Sequence, residues 1–300
     1  MNPFTIVVDS NCDLPPEYIE EHDIKIMPMP FELDGTPHNQ GYWQEISGKD
    51  FYDALRNGGV AKTSQINPDT FIEVFTQYAK QGKDALFILL SSGLSNTLGS
   101  AQIALQEVKE AYPDCGVHIV DSISATVAHG LLTMFAVKSR AENKTVAETA
   151  AWLDERKHYC IGLFTVNDLM YLHRGGRLSK LSAIAGSALG IKPLLNLAPD
   201  GTLGLKEKAR NKKNAMEIMI SQMKRSLKPD TVLDTLFVSH TDCPEDAEVF
   251  AEMVKASVNV REVLCVLMGP VIGAHLGPGS LILLFEADLT RDEYEDRFYK

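Results

Sequence analysis

The segment Ser91-Ser92-Gly93-Leu94-Ser95-Asn96-Thr97 places hydroxyl groups between an apolar run at 85–90 and a stretch in which Leu98, Ala101, Leu105 and Val108 recur at helical spacing. The apolar run has the length and composition of a strand buried on both faces. A loop leading from such a strand into a helix presents unpaired N–H groups and the positive end of the helix dipole, which suits a carboxylate or a phosphate. Ser92, Ser95 and Thr97 add hydroxyl donors, although the same groups could serve only as helix caps. A second hydroxyl pair, Thr63-Ser64, lies in the polar stretch 61–65, read as a loop able to close over the same place at the carboxyl ends of the strands. Donors without neighbouring acids or bases point to anion binding more than to bond cleavage.

His275 stands apart among the eight histidines, since residues 268–279 surround it with four glycines and two prolines. A glycine-rich loop of this kind brings backbone and imidazole close to a ligand, or simply packs a histidine beside a turn. Catalytic signatures are near misses. Gly58 to Thr63 ends like a phosphate loop but lacks a second glycine before Lys62, and no strand precedes it. Asp9 at a strand end resembles a phosphorylated aspartate, yet Asn11 stands where a second acid is wanted, so strand-end capping is the better account. Ser95 sits on a strand-to-helix turn, but Thr97 occupies the place of the glycine that a hydrolase elbow requires. An acyl or phosphoryl hydrolase using Asp9 or Ser95 is therefore the alternative reading. Neither Cys115-x-x-His118 nor His158-x-Cys160 has a second pair of ligands, so no metal site is expected.

The elements that must position these groups alternate. Residues 5–8 read as a strand running through a polar turn into a helix with proline in its first turn. Residues 25–31 read as an edge segment, because Pro28 and Pro30 remove ladder donors. Helices are predicted over 50–57 and 67–81, a strand over 117–122 followed by a helix to 140, and a capping box at Thr145 to Glu148. Beyond residue 157 the pattern shifts to strands at 161–166, 192–197 and 202–206, with a hairpin signal at Pro199-Asp200-Gly201. A helix over 211–227, a strand at 236–239, a helix over 244–256 and closing strands at 263–267 and 281–285 complete the chain. The reading is two α/β domains, 1–158 with a mainly parallel sheet and 159–300 with a mixed one, and a ligand cleft between them.

The chain has 300 residues, 45% of them hydrophobic and 23% charged, a globular balance that leaves out disordered, collagenous and coiled-coil classes. A net charge of −11 argues against nucleic acid as a partner. Locally, residues 174–228 hold twelve Lys or Arg against three acids, a patch of +9 that fits one anionic partner face or merely a solvated surface. Five cysteines without regular spacing fit a reducing compartment. The N-terminal run lacks the features of an export signal, and the densest apolar runs are about a third of the ~18 residues that a membrane span requires, so a cytoplasmic protein with no integral membrane segment is expected.

Together these pieces resemble the DegV family of bacterial fatty-acid-binding proteins. The resemblance rests on Val-Val-Asp9-Ser10 with Asp13-Leu14-Pro15, on Thr63-Ser64-Gln65 with Pro68, and on Ser91 to Thr97 with Ser100-Ala101. It continues through Asp121-Ser122, Tyr171-Leu172-His173-Arg174-Gly175-Gly176-Arg177-Leu178, Lys192-Pro193, Arg210, and Gly269-Pro270 through Gly279. Asn96 departs from the glycine expected after the serine. The resemblance implies two α/β domains clasping a long acyl chain, with its carboxylate held by Thr63 and Ser95 and His275 nearby; Ser92 and Asn96, in the hydroxyl loop, are further candidate ligand-binding residues. It implies Arg177 and Arg210 near the carboxylate or on a docking face, and no cofactor, metal or catalysis by this chain. It further implies a separate fatty acid kinase as partner, which makes an acyl phosphate that feeds phospholipid synthesis.

Overall fold

A computed structural model describes residues 3–39, 43–177 and 191–299. Leu178 of the family motif, and residues 178–190 of the basic patch, lie outside the described residues. The first half of the chain runs β1 (Thr5–Asp9), α1 (Pro16–Glu21), β2 (Ile24–Met27), β3 (Phe31–Leu33), β4 (Thr36–His38), α2 (Gly48–Arg56) and β5 (Ala61–Thr63). It continues through α3 (Pro68–Gln81), β6 (Ala85–Leu89), α4 (Thr97–Ala111), β7 (Val117–Asp121), α5 (Val127–Ala141) and α6 (Val146–Arg156). The second half has β8 (Cys160–Thr165), α7 (Met170–Arg174), β9 (Lys192–Leu197), β10 (Leu203–Ala209), α8 (Lys212–Ser226) and β11 (Val232–His240). It closes with α9 (Pro244–Lys255), β12 (Asn259–Leu267), α10 (Pro270–Leu276), β13 (Leu281–Glu286) and α11 (Arg291–Tyr299).

The fold is α/β. The first sheet is parallel, in the order β2-β1-β6-β7, and β6, hydrogen-bonded on both sides, is buried at every residue, as its continuous apolar sequence requires. The second sheet is mixed, in the order β10-β9-β8-β13-β11-β12, with β11 and β12 parallel and the other neighbours antiparallel. The β9–β10 hairpin turns at Gly201, whose φ of 76° only glycine adopts without strain, and α6 opens with the reciprocal Thr145–Glu148 capping box. One apolar cluster joins the two sheets: Leu197, Phe237, Val266 and Leu284 pack with Ile6, Val8, Leu86 and Leu131.

Three local expectations are corrected. Residues 25–31 divide at the prolines: β2 is the edge strand of the parallel sheet, as expected, whereas β3 is the central strand of a small antiparallel sheet ordered β4-β3-β5. Ala61 to Thr63 is a strand of that sheet, with Thr63 opposite Phe31. The stretch around His275 folds as α10, because Pro270 occupies the first turn, where a helix does not use the missing N–H, and Gly277 accepts the positive φ just past its end.

Candidate functional site

A cavity of about 280 Å³ opens where the two sheets face each other. Its polar lining comes from Thr63, Ser64 and Gln65 after β5, from Ser95 and Asn96 before α4, and from Thr126, Arg177 and His275. Its apolar lining comes from β8, β9, β10, β13 and α5, among them Phe164, Leu197, Leu203, Ile282 and Leu284, with Ala128 and Gly162 as the small members. A Cβ added at Gly162 would touch Leu197 and Leu284 at 3.7 Å, ordinary contact, so this glycine leaves side-chain space in the middle of a buried strand.

Thr63 Oγ1 and His275 Nε2 lie 2.8 Å apart, a hydrogen bond joining residues separated by 212 positions. Burial, and secondarily the nearby Arg177 guanidinium, push the His275 imidazole down to about 4, so the ring is neutral near pH 7. His275 Nδ1 is buried and has no hydrogen-bond partner among the described residues. Ser95 Oγ lies 2.9 Å from Thr97 Oγ1 and accepts from the Thr97 N–H at 3.2 Å, so the serine, one residue before the N-cap Asn96, sets its hydroxyl beside the first residue of α4. Arg177 donates through Nε and Nη2 to the Leu94 carbonyl at 3.3 and 3.1 Å, pinning the loop that carries Ser95.

Of the residues singled out in the sequence, Thr63, Ser95, Asn96, Arg177 and His275 line this one cavity. Ser92 and Arg210 do not. Ser92 Oγ donates to the Asp121 carboxylate at 2.5 Å and its N–H donates to the same group at 3.2 Å, so its hydroxyl is spent on the end of β7. Arg210 is exposed, its N–H donating to Asn214 Oδ1 at the start of α8. Asp9, the alternative nucleophile, is fully buried and away from the cavity lining. It accepts the Leu90 N–H at 2.6 Å and the Asn11 N–H at 3.2 Å, a structural anchor between strand ends. The Ser95 hydroxyl is bonded to Thr97 while His275 is bonded to Thr63, so no serine–histidine pair of the kind that activates a nucleophile is formed. Sequence reasoning missed Thr126, Ala128 and Gly162. Only Gly162 carried a signal, a glycine inside an otherwise apolar strand.

No helix among the described residues is long and apolar enough to cross a membrane. The family model described as "Uncharacterised protein, DegV family" matches residues 3–288. A DegV domain-containing protein of Clostridium perfringens is 37% identical over 289 residues, 96% of this chain and 99% of its own. Among solved structures, a Thermus thermophilus DegV family protein described by its fatty acid binding superposes with a TM-score of 0.85 at 26% identity, covering 95% of this chain and 99% of that one. A stearic acid-binding protein of Eubacterium ventriosum superposes with a TM-score of 0.82 at 26% identity, covering 98% of this chain and 99% of its own. With the family model matching residues 3–288 and a DegV domain-containing relative 37% identical over 96% of this chain, the chain belongs to the DegV family.

Proposed function

We propose that the cavity holds a long-chain fatty acid, its carboxylate at Thr63 and Ser95 and its tail against β8, β9 and β13, and that the chain is a carrier without catalysis of its own. The supporting observation is that two hydroxyls and a neutral imidazole line one largely apolar cavity, in a fold shared with proteins described as fatty-acid binders. Burial of each methylene is worth about 0.8 kcal/mol, so roughly fourteen of them supply on the order of 11 kcal/mol before ordering costs. The carboxylate adds little affinity, because an unpaired charge out of water costs several kcal/mol that its donors must first offset. Those donors fix orientation. When His275 Nε2–H donates to Thr63 Oγ1, the threonine hydrogen is left for the carboxylate.

The lobes in this reading are 1–158, carrying the hydroxyl groups, and 159–300, covering the acyl chain. The carboxylate is presented to a cytoplasmic fatty acid kinase, with Arg177, Arg210 and the basic patch on the docking side, and the acyl phosphate serves phospholipid synthesis. Native mass spectrometry of the purified protein tests the carrier role: a bound long-chain fatty acid is expected, and folded protein that neither carries nor takes up such an acid defeats it. Acyl phosphate should form from ATP only when kinase and carrier are combined; turnover of acyl phosphate or ester by this chain alone would favour the hydrolase instead.

A further inference from the structure

Movement of a wall is one way for a cavity lined from both sheets to exchange its ligand. The walls formed by α5 and α10 meet at one side chain. Asp13, fully buried in the loop after β1, accepts the hydroxyl of Thr126, the residue that caps α5 and lines the cavity. Its other oxygen accepts the N–H of Gly269 at 3.0 Å, the residue that opens α10. From there α10 carries Val271, Ile272, His275 and Leu276 into the cavity lining. Thr126 has φ 52° and ψ −138°, an outlier for a β-branched residue that persists only where its surroundings hold it. The holding groups are Asp13 at its hydroxyl and Asn11 Oδ1, which accepts its N–H at 3.4 Å. Gly130 of α5 packs so closely on the same loop that a Cβ there would fall 2.6 Å from the Cys12 carbonyl oxygen.

We infer that Asp13 is a positioning residue, a latch whose hydrogen bonds to Thr126 and Gly269 hold the Thr126 and α10 walls closed over the ligand. The inference rests on the fatty-acid reading for its ligand, but the latch itself belongs to the chain. Burial pushes the Asp13 carboxyl up to about 7, opposed by the bonds from Thr126 and Gly269 and assisted by the Asp9 charge. An opened wall hydrates the carboxyl and returns it toward the ordinary carboxylate range, so opening releases a proton. The sign follows: the closed state is favoured at low pH, and opening grows with pH up to about 7 and levels off above it. The groups facing Asp13 are Asp9 on β1, His129 of α5 behind Asp9, and Cys12 in its own loop, while α10 presents backbone N–H.

Exchange of bound isotope-labelled oleate for unlabelled oleate, followed by mass spectrometry, tests the latch. Wild-type exchange should slow as pH is lowered from about 8 to about 5, by up to tenfold per pH unit below about 7. Asp13→Asn, whose amide can donate to Thr126 Oγ1 and accept from Gly269, should exchange slowly at every pH, and Asp13→Ala quickly at every pH. A flat wild-type profile overturns the inference. So does an Asp13→Asn profile that keeps the wild-type slope, which would assign the titration to Asp9, His129 or the lipid carboxylate. Amide hydrogen exchange over 269–276 at a single pH near 7 adds a readout that needs no lipid: it should be faster in Asp13→Ala and no faster in Asp13→Asn than in wild type. Unchanged exchange in Asp13→Ala overturns the latch whatever binds. A protein that takes up no fatty acid but shows the expected amide pattern defeats the carrier reading and keeps the latch. If Asp13→Ala does not fold, the wild-type and Asp13→Asn profiles decide.

Discussion

In the proposed reading Thr63 and Ser95 add little affinity and set the orientation of the carboxylate, which makes their substitution diagnostic. Thr63→Val keeps the shape and removes the hydroxyl. A hydrogen bond to a charged group is worth about 1.5–3 kcal/mol, against on the order of 11 from the tail, so fatty acid should remain bound while affinity falls roughly ten- to a hundredfold. Ser95→Ala should behave alike, and a folded variant of either kind that purifies free of lipid would place the affinity in the head group instead. His275 gives a pH signature. Its imidazole, near 4 in the fold against 6.5 when free, is buried neutral. The unfolded chain therefore binds a proton that the native state refuses as pH falls from about 6.5 to about 4, and stability is lost across that window by at most about 3 kcal/mol. Asp13, raised in the fold, contributes the opposite slope over much of the same range, so the quantity to read is the difference between wild type and His275→Gln in denaturant unfolding. That difference should favour wild type more at pH 7 than at pH 4; an unchanged difference would mean that His275 takes up its proton inside the fold.

Strand β8 carries the prediction that belongs to an element. Gly162 is the position where a central strand yields its side-chain space to the cavity, facing Leu197 and Leu284. Gly162→Leu should fill that space and shift the bound acids toward chains shorter by roughly four carbons, the number the new side chain brings. An unshifted chain-length distribution in extracted lipid would show that the tail runs elsewhere. Strand β6 was readable in the sequence, and so was the hydroxyl loop before α4, because both depend on local runs: 85–90 is apolar throughout, and 91–97 is polar except at Gly93 and Leu94. What was not readable depends on partners distant in the chain. β5 is only three residues long and exists because β3 lies about thirty residues earlier, so Thr63 was identified by its chemistry while its strand was read as a loop. Ser92 looked like its neighbours until Asp121, from the end of the next strand, claimed its hydroxyl. For α10 the glycines and prolines outweighed helical spacing, although Pro270 and Gly277 stand where a short helix starts and stops.

At the scale of the whole molecule, the cavity depends on how firmly the two sheets are held together, and α11 supplies a tie that does not rest on hydrophobic packing alone. Arg291 is almost wholly buried, and burial pushes its guanidinium down to about 10, still charged at neutral pH. It donates to the carbonyls of Cys160 at 2.9 Å, Ile123 at 2.6 Å and Ala198 at 3.3 Å, and to Ser124 Oγ at 2.6 Å. One side chain thus joins the loop after β7, the first residue of β8 and the β9–β10 turn. The loop leads into Ala125 and Thr126, and the turn follows Leu197, all on the cavity wall. Arg291→Met preserves much of the apolar stem but leaves those acceptors without a donor, at a cost of about 1–3 kcal/mol for each that water cannot reach. Against this stands the desolvation of the guanidinium, which the variant no longer bears. Four bonds outweigh that term, so the variant should be less stable by about 3 kcal/mol, and its Tm lower by roughly 5–10 °C for a chain of this size. Bound fatty acid should restore part of the loss, because a ligand held only by the native state stabilises it in proportion to the logarithm of its concentration. Calorimetry of lipid-loaded and lipid-stripped protein measures both effects. A Tm equal to or above wild type would mean that the buried charge costs more than its bonds return, and that packing of Leu197, Phe237 and Leu284 against Val8 and Leu131 is what joins the sheets.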